Sequence, residues 1–231
     1  PQHSAVVLVM GATATMLGWP DELCERLAAR KLFVIRYDSR DTGLSTTFDP
    51  GSPPYTVEDL AADLIAVMDA YRTTSAHIVG MSLGGLIAQI AALSRPERVT
   101  SLTLIGSEPL GWDGAPLPHI APAFLEHFGA FGSLDWSDTT EVRDFLVHIE
   151  ELCVGSAYPF DVTRAQAKVD AVIARSPSLP SAFNHGAVEL QRDWTGRFRA
   201  ISQPTLLIHG DEDPILPVQN GVALASGISR T

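Results

Sequence analysis

Positive charge is scarce in this sequence. Sixteen lysines and arginines face 27 aspartates and glutamates, a net charge of −11 at pH 7. A surface of that sign repels nucleic acid and anionic membranes, so neither is an expected partner. Cysteine is scarce as well. Cys24 and Cys153 stand far apart in stretches of helical pattern. That argues against a disulfide framework or a thiolate metal site, and both thiols are expected free and buried. No apolar run approaches the roughly 20 residues that span a bilayer. No signal-peptide pattern, internal repeat or low-complexity run is visible, which makes the cytoplasm the expected location. Hydrophobic content of 45% and charged content of 19% are ordinary for a packed core. The length suits one α/β domain with an insertion. Nothing in these numbers sets an oligomeric state.

The rest of the chain is organised around Ala76 to Ala92, Ala-His-Ile-Val-Gly-Met-Ser-Leu-Gly-Gly-Leu-Ile-Ala-Gln-Ile-Ala-Ala. A short apolar run ends at Gly80, Ser82 stands between Gly80 and Gly84, and a helical pattern begins at once. This is the strand–turn–helix setting of a G-x-S-x-G nucleophile elbow. The turn is tight enough that a Cβ two residues before or after the serine would strike backbone, hence glycine at both places. It would present the Ser82 hydroxyl above a sheet and leave the Leu83 amide free at a helix N-terminus, where a developing oxyanion can be held. The plainer alternative is a serine capping a helix after an ordinary turn. A dinucleotide fingerprint is disfavoured, because Ser82 occupies the place of its second glycine.

Taken in order, Ala5–Met10 reads as a strand buried on both faces, followed by a loop to Trp19. Pro20 opens a helix whose buried face is marked by Leu23 and Leu27. Leu32–Ile35 is the next strand. Thr56 is a plausible N-cap with Asp59 three residues on, before a helix carrying Leu60, Leu64, Val67, Met68 and Tyr71. The elbow strand and helix follow, then a strand from Val99 to Ile105. From 110 to 199 helical periods replace strands, and strand character returns only at Thr205–Ile208. This βα alternation predicts an α/β fold: a mostly parallel sheet flanked by helices, with residues 1–109 and 200–231 forming the core and 110–199 a helical insertion.

Together these pieces resemble the α/β-hydrolase superfamily over nearly the whole chain. Leu8-Val-Met-Gly11, Leu17-Gly-Trp-Pro-Asp-Glu22, Val34-Ile-Arg-Tyr-Asp38 and Arg40-Asp-Thr-Gly43 with Ser45-Thr-Thr47 are similar to its aclacinomycin methylesterase branch. Most relatives carry His-Gly after the first strand and Arg-Gly-x-Gly in the second loop; Met10-Gly11 and Asp41 replace them here, as in that branch. The resemblance implies an α/β-hydrolase fold with a helical cap, Ser82 as nucleophile, Asp213 as triad acid, and the amides of Leu83 and Ala12 as oxyanion-hole donors. No metal or organic cofactor is implied. Trp112, Phe124 and Phe128, with Phe131 and Trp136, are candidates for an apolar substrate cleft, with packing of a helical cap as their equal alternative.

One element of that pattern is missing. The triad histidine should follow the acid, yet none of the residues after Asp213 is histidine. Flanking strands of the fold are likewise not found, so the sequence reads as a hydrolase truncated at both ends. Of the seven histidines, His209 precedes the acid loop and is expected to be structural. His77 begins the elbow strand, at the end away from Ser82, and His3 is terminal. His119, His127, His148 and His185 belong to the insertion, where His119 or His185 could line the cleft. The expected function is a serine-dependent hydrolase of small or hydrophobic carboxylic esters whose catalytic histidine this chain does not contain. A ligand-binding protein on a hydrolase scaffold and an acyltransferase are the rivals.

Overall fold

A computed structural model describes residues 4–231 of the chain. Five strands form one parallel sheet in the order β2-β1-β3-β4-β5: β1 (Ala5–Val9), β2 (Phe33–Arg36), β3 (Ala76–Met81), β4 (Val99–Ile105) and β5 (Thr205–Ile208). The order turns back at β1, so β1 and β3 are neighbours at the switch point where open α/β sheets carry their sites. The central strand β1 is buried along its whole length, as its unbroken apolar run requires.

The two faces of the sheet are covered unequally. On one face pack α2 (Val57–Ala70), α3 (Leu83–Ser94) and α7 (Gln219–Gly227), enclosing a core that includes Ile78, Leu64, Met68, Ile87, Leu102 and Phe198. Thr56 starts α2 with a reciprocal capping box, accepting from the Asp59 amide while the Asp59 carboxylate accepts from the Thr56 amide. On the other face lies α1 (Asp21–Ala28) over a small cluster of Val6, Leu8, Met10 and Trp19. The expected buried face of α1 is therefore only half covered: Leu23 is 38% exposed, and no residue of α1 is fully buried. The thiols also depart from expectation. Cys24 is partly exposed on α1, and Cys153 is exposed just past the end of α5.

Between β4 and β5 the chain is helical, with α4 (Pro122–Gly129), α5 (Thr139–Leu152) and α6 (Val162–Arg175), then a 3-10 segment over Pro180–Gly186. Helices α5 and α6 pack on each other through Val142, Phe145, Ala165 and Val169, the buried members of their apolar faces. No described helix is long and apolar enough to cross a membrane.

Candidate active site

Ser82 stands between the end of β3 and the start of α3 with φ 50° and ψ −118°. A non-glycine residue held there costs on the order of 1–3 kcal/mol, and the surroundings over-determine it. A Cβ on Gly80 would collide with the Gly84 carbonyl, and one on Gly84 with the Val9 carbonyl. The Ser82 amide donates to the Ile105 carbonyl at 2.9 Å, and the Ser107 hydroxyl donates to the Ser82 carbonyl at 3.0 Å. The turn is thus built from glycine, backbone, the neighbouring strand β4 and the Ser107 hydroxyl just past it. Among the described residues no acceptor pairs with the Leu83 amide, which opens the first turn of α3.

Asp213 occupies the loop after β5. Its Oδ1 accepts the amides of Ile215 and Leu216, both at 2.9 Å, which fixes the carboxylate orientation. Its Oδ2 lies over the end of β4, where a Cβ on Gly106 would sit 3.1 Å away. Ser82 and Asp213 line one cavity of about 460 Å³ with Met81, Ile105, Ile208 and Leu216. Tyr158 and Cys153 from the helical block also line it. Desolvation and the Glu150 and Asp213 carboxylates push the Cys153 thiol up to about 11.

The loop after β1 reaches Ser82 but does not line that cavity. A Cβ on Gly11 would meet the Ser82 Cβ at 3.2 Å and its Oγ at 3.8 Å, so Gly11 lies against the serine. Ala12 comes next, and no acceptor pairs with its amide among the described residues. Thr13 follows with φ 64°. Its amide donates to His185 Nδ1 at 3.0 Å, while His185 Nε2 contacts the Arg40 carbonyl at 2.8 Å. That pair of contacts requires the neutral imidazole protonated at Nε2. Burial moves the His185 pKa below its ordinary value, against the opposing effects of Arg40 and Asp41. Further along, the Met16 amide donates to Asp38 Oδ1 at 2.8 Å, and Asp38 pairs with Arg175 of α6 at 2.8 Å. Desolvation would raise the Asp38 pKa, but the Arg175 guanidinium and the Met16 and Leu44 amides outweigh it and hold the carboxyl below its usual value.

Asp41 anchors the same region. Fully buried at φ 66°, it accepts from the Phe48 amide at 2.6 Å, the Tyr55 hydroxyl at 2.6 Å and Asn184 Nδ2 at 3.0 Å. Three donors satisfy a charge that would otherwise be costly to bury. Aspartate tolerates the left-handed conformation better than most residues, which suits it to a position where glycine is the usual alternative.

The aromatic candidates lie elsewhere. Trp112 packs 5.9 Å from the buried Phe198 ring and donates to the Ala115 carbonyl, and it does not line the cavity at Ser82. Phe124 and Phe128 stack at 4.9 Å in an aromatic cluster of the helical block and are also absent from that cavity wall. The cluster centres on Phe183, a residue the helical periods do not mark, which contacts Phe128, Phe131, Trp136 and Phe145.

None of the described histidines lines the cavity. His209 Nε2 meets the Leu216 carbonyl and lies 3.6 Å from Asp213 Oδ2, with Nδ1 turned toward Gly221 of α7. His77 bonds Ser101 and Thr103 far down the strand. His119 is exposed, His127 stacks on Phe145, and His148 pairs with Glu151. His3 lies outside the described residues. Among those residues no group of three or more His, Cys, Asp or Glu side chains is arranged to hold a metal ion.

A parallel sheet with a strained serine at the end of its third strand is the arrangement of one large class, and the chain belongs to it: residues 4–231 match the model of the alpha/beta hydrolase fold family. Within that family it falls in the aclacinomycin methylesterase-like branch. Rhodomycin D methylesterase DnrP of Streptomyces peucetius is 32% identical over 99% of this chain and 81% of that protein. Rhodomycin D methylesterase DauP of Streptomyces sp. strain C5 is 48% identical over a stretch covering 46% of this chain and 35% of that protein. The enol-lactonase of Burkholderia xenovorans LB400 shares the fold, with a TM-score of 0.72 at 21% identity over 98% of this chain and 80% of the other. The chain is accordingly a hydrolase of esterase kinship.

Proposed function

We propose that the protein hydrolyses a carboxylic ester through an acyl-enzyme on Ser82. The observation that carries the reading is the strained Ser82 beside an unpaired Leu83 amide, with Asp213 across the same cavity. In the first step Ser82 Oγ attacks the carbonyl carbon and its proton passes to a base. The carbonyl π pair moves onto oxygen, where the amides of Leu83 and Ala12 receive it. Each such donor is worth on the order of 3 kcal/mol in the transition state. Collapse of the tetrahedral intermediate expels the alcohol, which takes the proton. Water then attacks the acyl-serine, releasing the acid and restoring Ser82.

Asp213 would orient and stabilise a histidine base that the described residues do not supply. The methylesterase relatives support an ester substrate, and the wall of Ile105, Ile208, Ile215 and Leu216 supports a small or hydrophobic one. Residues 110–199 would serve as the cap, with Tyr158 and Ala157 taking the substrate role first expected of Trp112, Phe124 and Phe128. A second reading, a ligand-binding protein on this scaffold, is favoured by the lack of any histidine on the cavity wall among the described residues. Intact-mass measurement after a fluorophosphonate probe separates the two. Adduct on Ser82, abolished in Ser82→Ala, supports the hydrolase; no adduct in the intact protein leaves the binder.

A further inference from the structure

We infer that His185 is a positioning residue for the loop that carries the Ala12 amide, coupling the helical block to the hydrolytic site. The inference rests on the reading of Ala12 as an oxyanion donor. Within the loop, hydrogen bonds begin only at Thr15, whose hydroxyl and carbonyl accept the Leu17 and Gly18 amides, and none of them reaches Ala12 or Thr13. Ala12 is exposed, and Thr13 takes a left-handed conformation that a threonine adopts only under constraint. The constraint comes from 172 residues away, where the His185 imidazole accepts the Thr13 amide.

His185 is itself over-determined. It is 6% exposed, and its Nε2 is spent on the Arg40 carbonyl. Asn184 beside it is gripped by Asp41 and in turn accepts the Gly51 amide at 2.7 Å. Ser181, in the same 3-10 segment, donates to the Asp41 carbonyl at 3.1 Å. The segment is therefore bolted to the loop after β2, and from that platform a single ring nitrogen reaches across to the loop after β1. With both nitrogens engaged, His185 has no proton acceptor left for Ser82, which excludes it as the base and leaves it a mechanical role. An oxyanion donor misplaced by even about 1 Å costs up to ~100-fold, so the strut has leverage on turnover.

Two isosteres split the two contacts. Asparagine can place its carbonyl oxygen near the Nδ1 position and keep an acceptor for Thr13, while glutamine can place its amide nitrogen near Nε2 and keep a donor for Arg40. Each loses one hydrogen bond, so a purely structural role predicts similar behaviour for both. The positioning role predicts that His185→Gln slows fluorophosphonate labelling of Ser82 about 10–100-fold at unchanged probe affinity, while His185→Asn stays within about threefold of the parent. Labelling that falls equally in both variants, or in neither, overturns the inference and leaves the hydrolase reading standing. No labelling of the parent overturns both. Hydrogen exchange of the unaltered protein supplies an arm that needs no variant to fold. The Thr13 amide must be protected there, and a freely exchanging Thr13 amide overturns the inference by itself.

Discussion

The turn at Ser82 and the loop after β1 face each other across one site and are held by opposite means. The Ser82 turn is held mostly by backbone: glycines that admit close approach, a neighbouring strand and the start of its own helix, with the nearby Ser107 hydroxyl as a side-chain donor to it. The β1 loop is held by side chains from afar, His185 at Thr13 and the Asp38–Arg175 pair at Met16. The first arrangement resists everything short of a bulky substitution in the turn. The second passes changes in the helical block directly to the site. On the proposed reading, the serine that attacks a carbonyl carbon and the donor that receives its oxygen can thus be tuned separately.

The comparison breaks most visibly at the serine itself. On the proposed reading, Ser82→Gly should abolish fluorophosphonate labelling outright, since the attacking hydroxyl is gone. The same change removes a side chain from a left-handed position and should raise the unfolding midpoint in urea by about 1 kcal/mol in equivalent stability. A midpoint that falls instead would show that the turn is not strained.

Next in size is Gly84→Val. With the Val9 carbonyl where the new Cβ must go, stability should fall by about 3 kcal/mol or more. Chemical denaturation followed by far-UV circular dichroism measures this, and an unchanged midpoint would mean that backbone contact does not hold the turn.

Arg175→Ala tests the other side. It leaves the Asp38 carboxylate, whose side chain is 6% exposed, without its cation. Stability should fall by about 2–3 kcal/mol, toward the lower end for a broken buried pair because the Met16 and Leu44 amides still bind the carboxylate. Turnover should fall by roughly tenfold with KM nearly unchanged, because the loop and not the cavity wall is loosened. A rise in KM with kcat intact would place Arg175 in substrate binding instead.

The smallest effect is one of pH. The folded-state pKa of His185 is depressed by burial, so the native state binds fewer protons than the unfolded chain below the ordinary histidine value of about 6.5. Its contribution is complete above that pH and is lost as pH falls through the folded value. His77, depressed by burial too, acts in the same direction. Unfolding midpoints measured from pH 7.5 down to 5 should therefore decline, and the decline should shrink without vanishing in His185→Asn. An identical pH slope in the variant would mean that His185 does not carry the buried, neutral state inferred for it.

The sequence by itself determined what depends on near neighbours. The unbroken apolar run of β1, the capping box at Thr56 and Asp59, and the five-residue pattern around Ser82 are local, and each forms as its residues dictate. The parallel α/β architecture followed, because strands separated by helices can pair only through crossovers. The extent of burial did not follow. Leu23 has the right spacing for a core residue, but the sheet face beneath α1 is sparsely covered, so periodicity overstated its burial. Trp112 carried the same aromatic signal as Phe124, yet one packs on Phe198 and the other joins a cluster around Phe183. His185 looked like any histidine of the helical block until the fold brought it to Thr13. Hydrogen bonds across such separations leave no spacing to read, because their geometry exists only after the intervening chain has closed. The turn at Ser82 is written in five consecutive residues, whereas the loop opposite it is held by residues that only the tertiary structure makes neighbours.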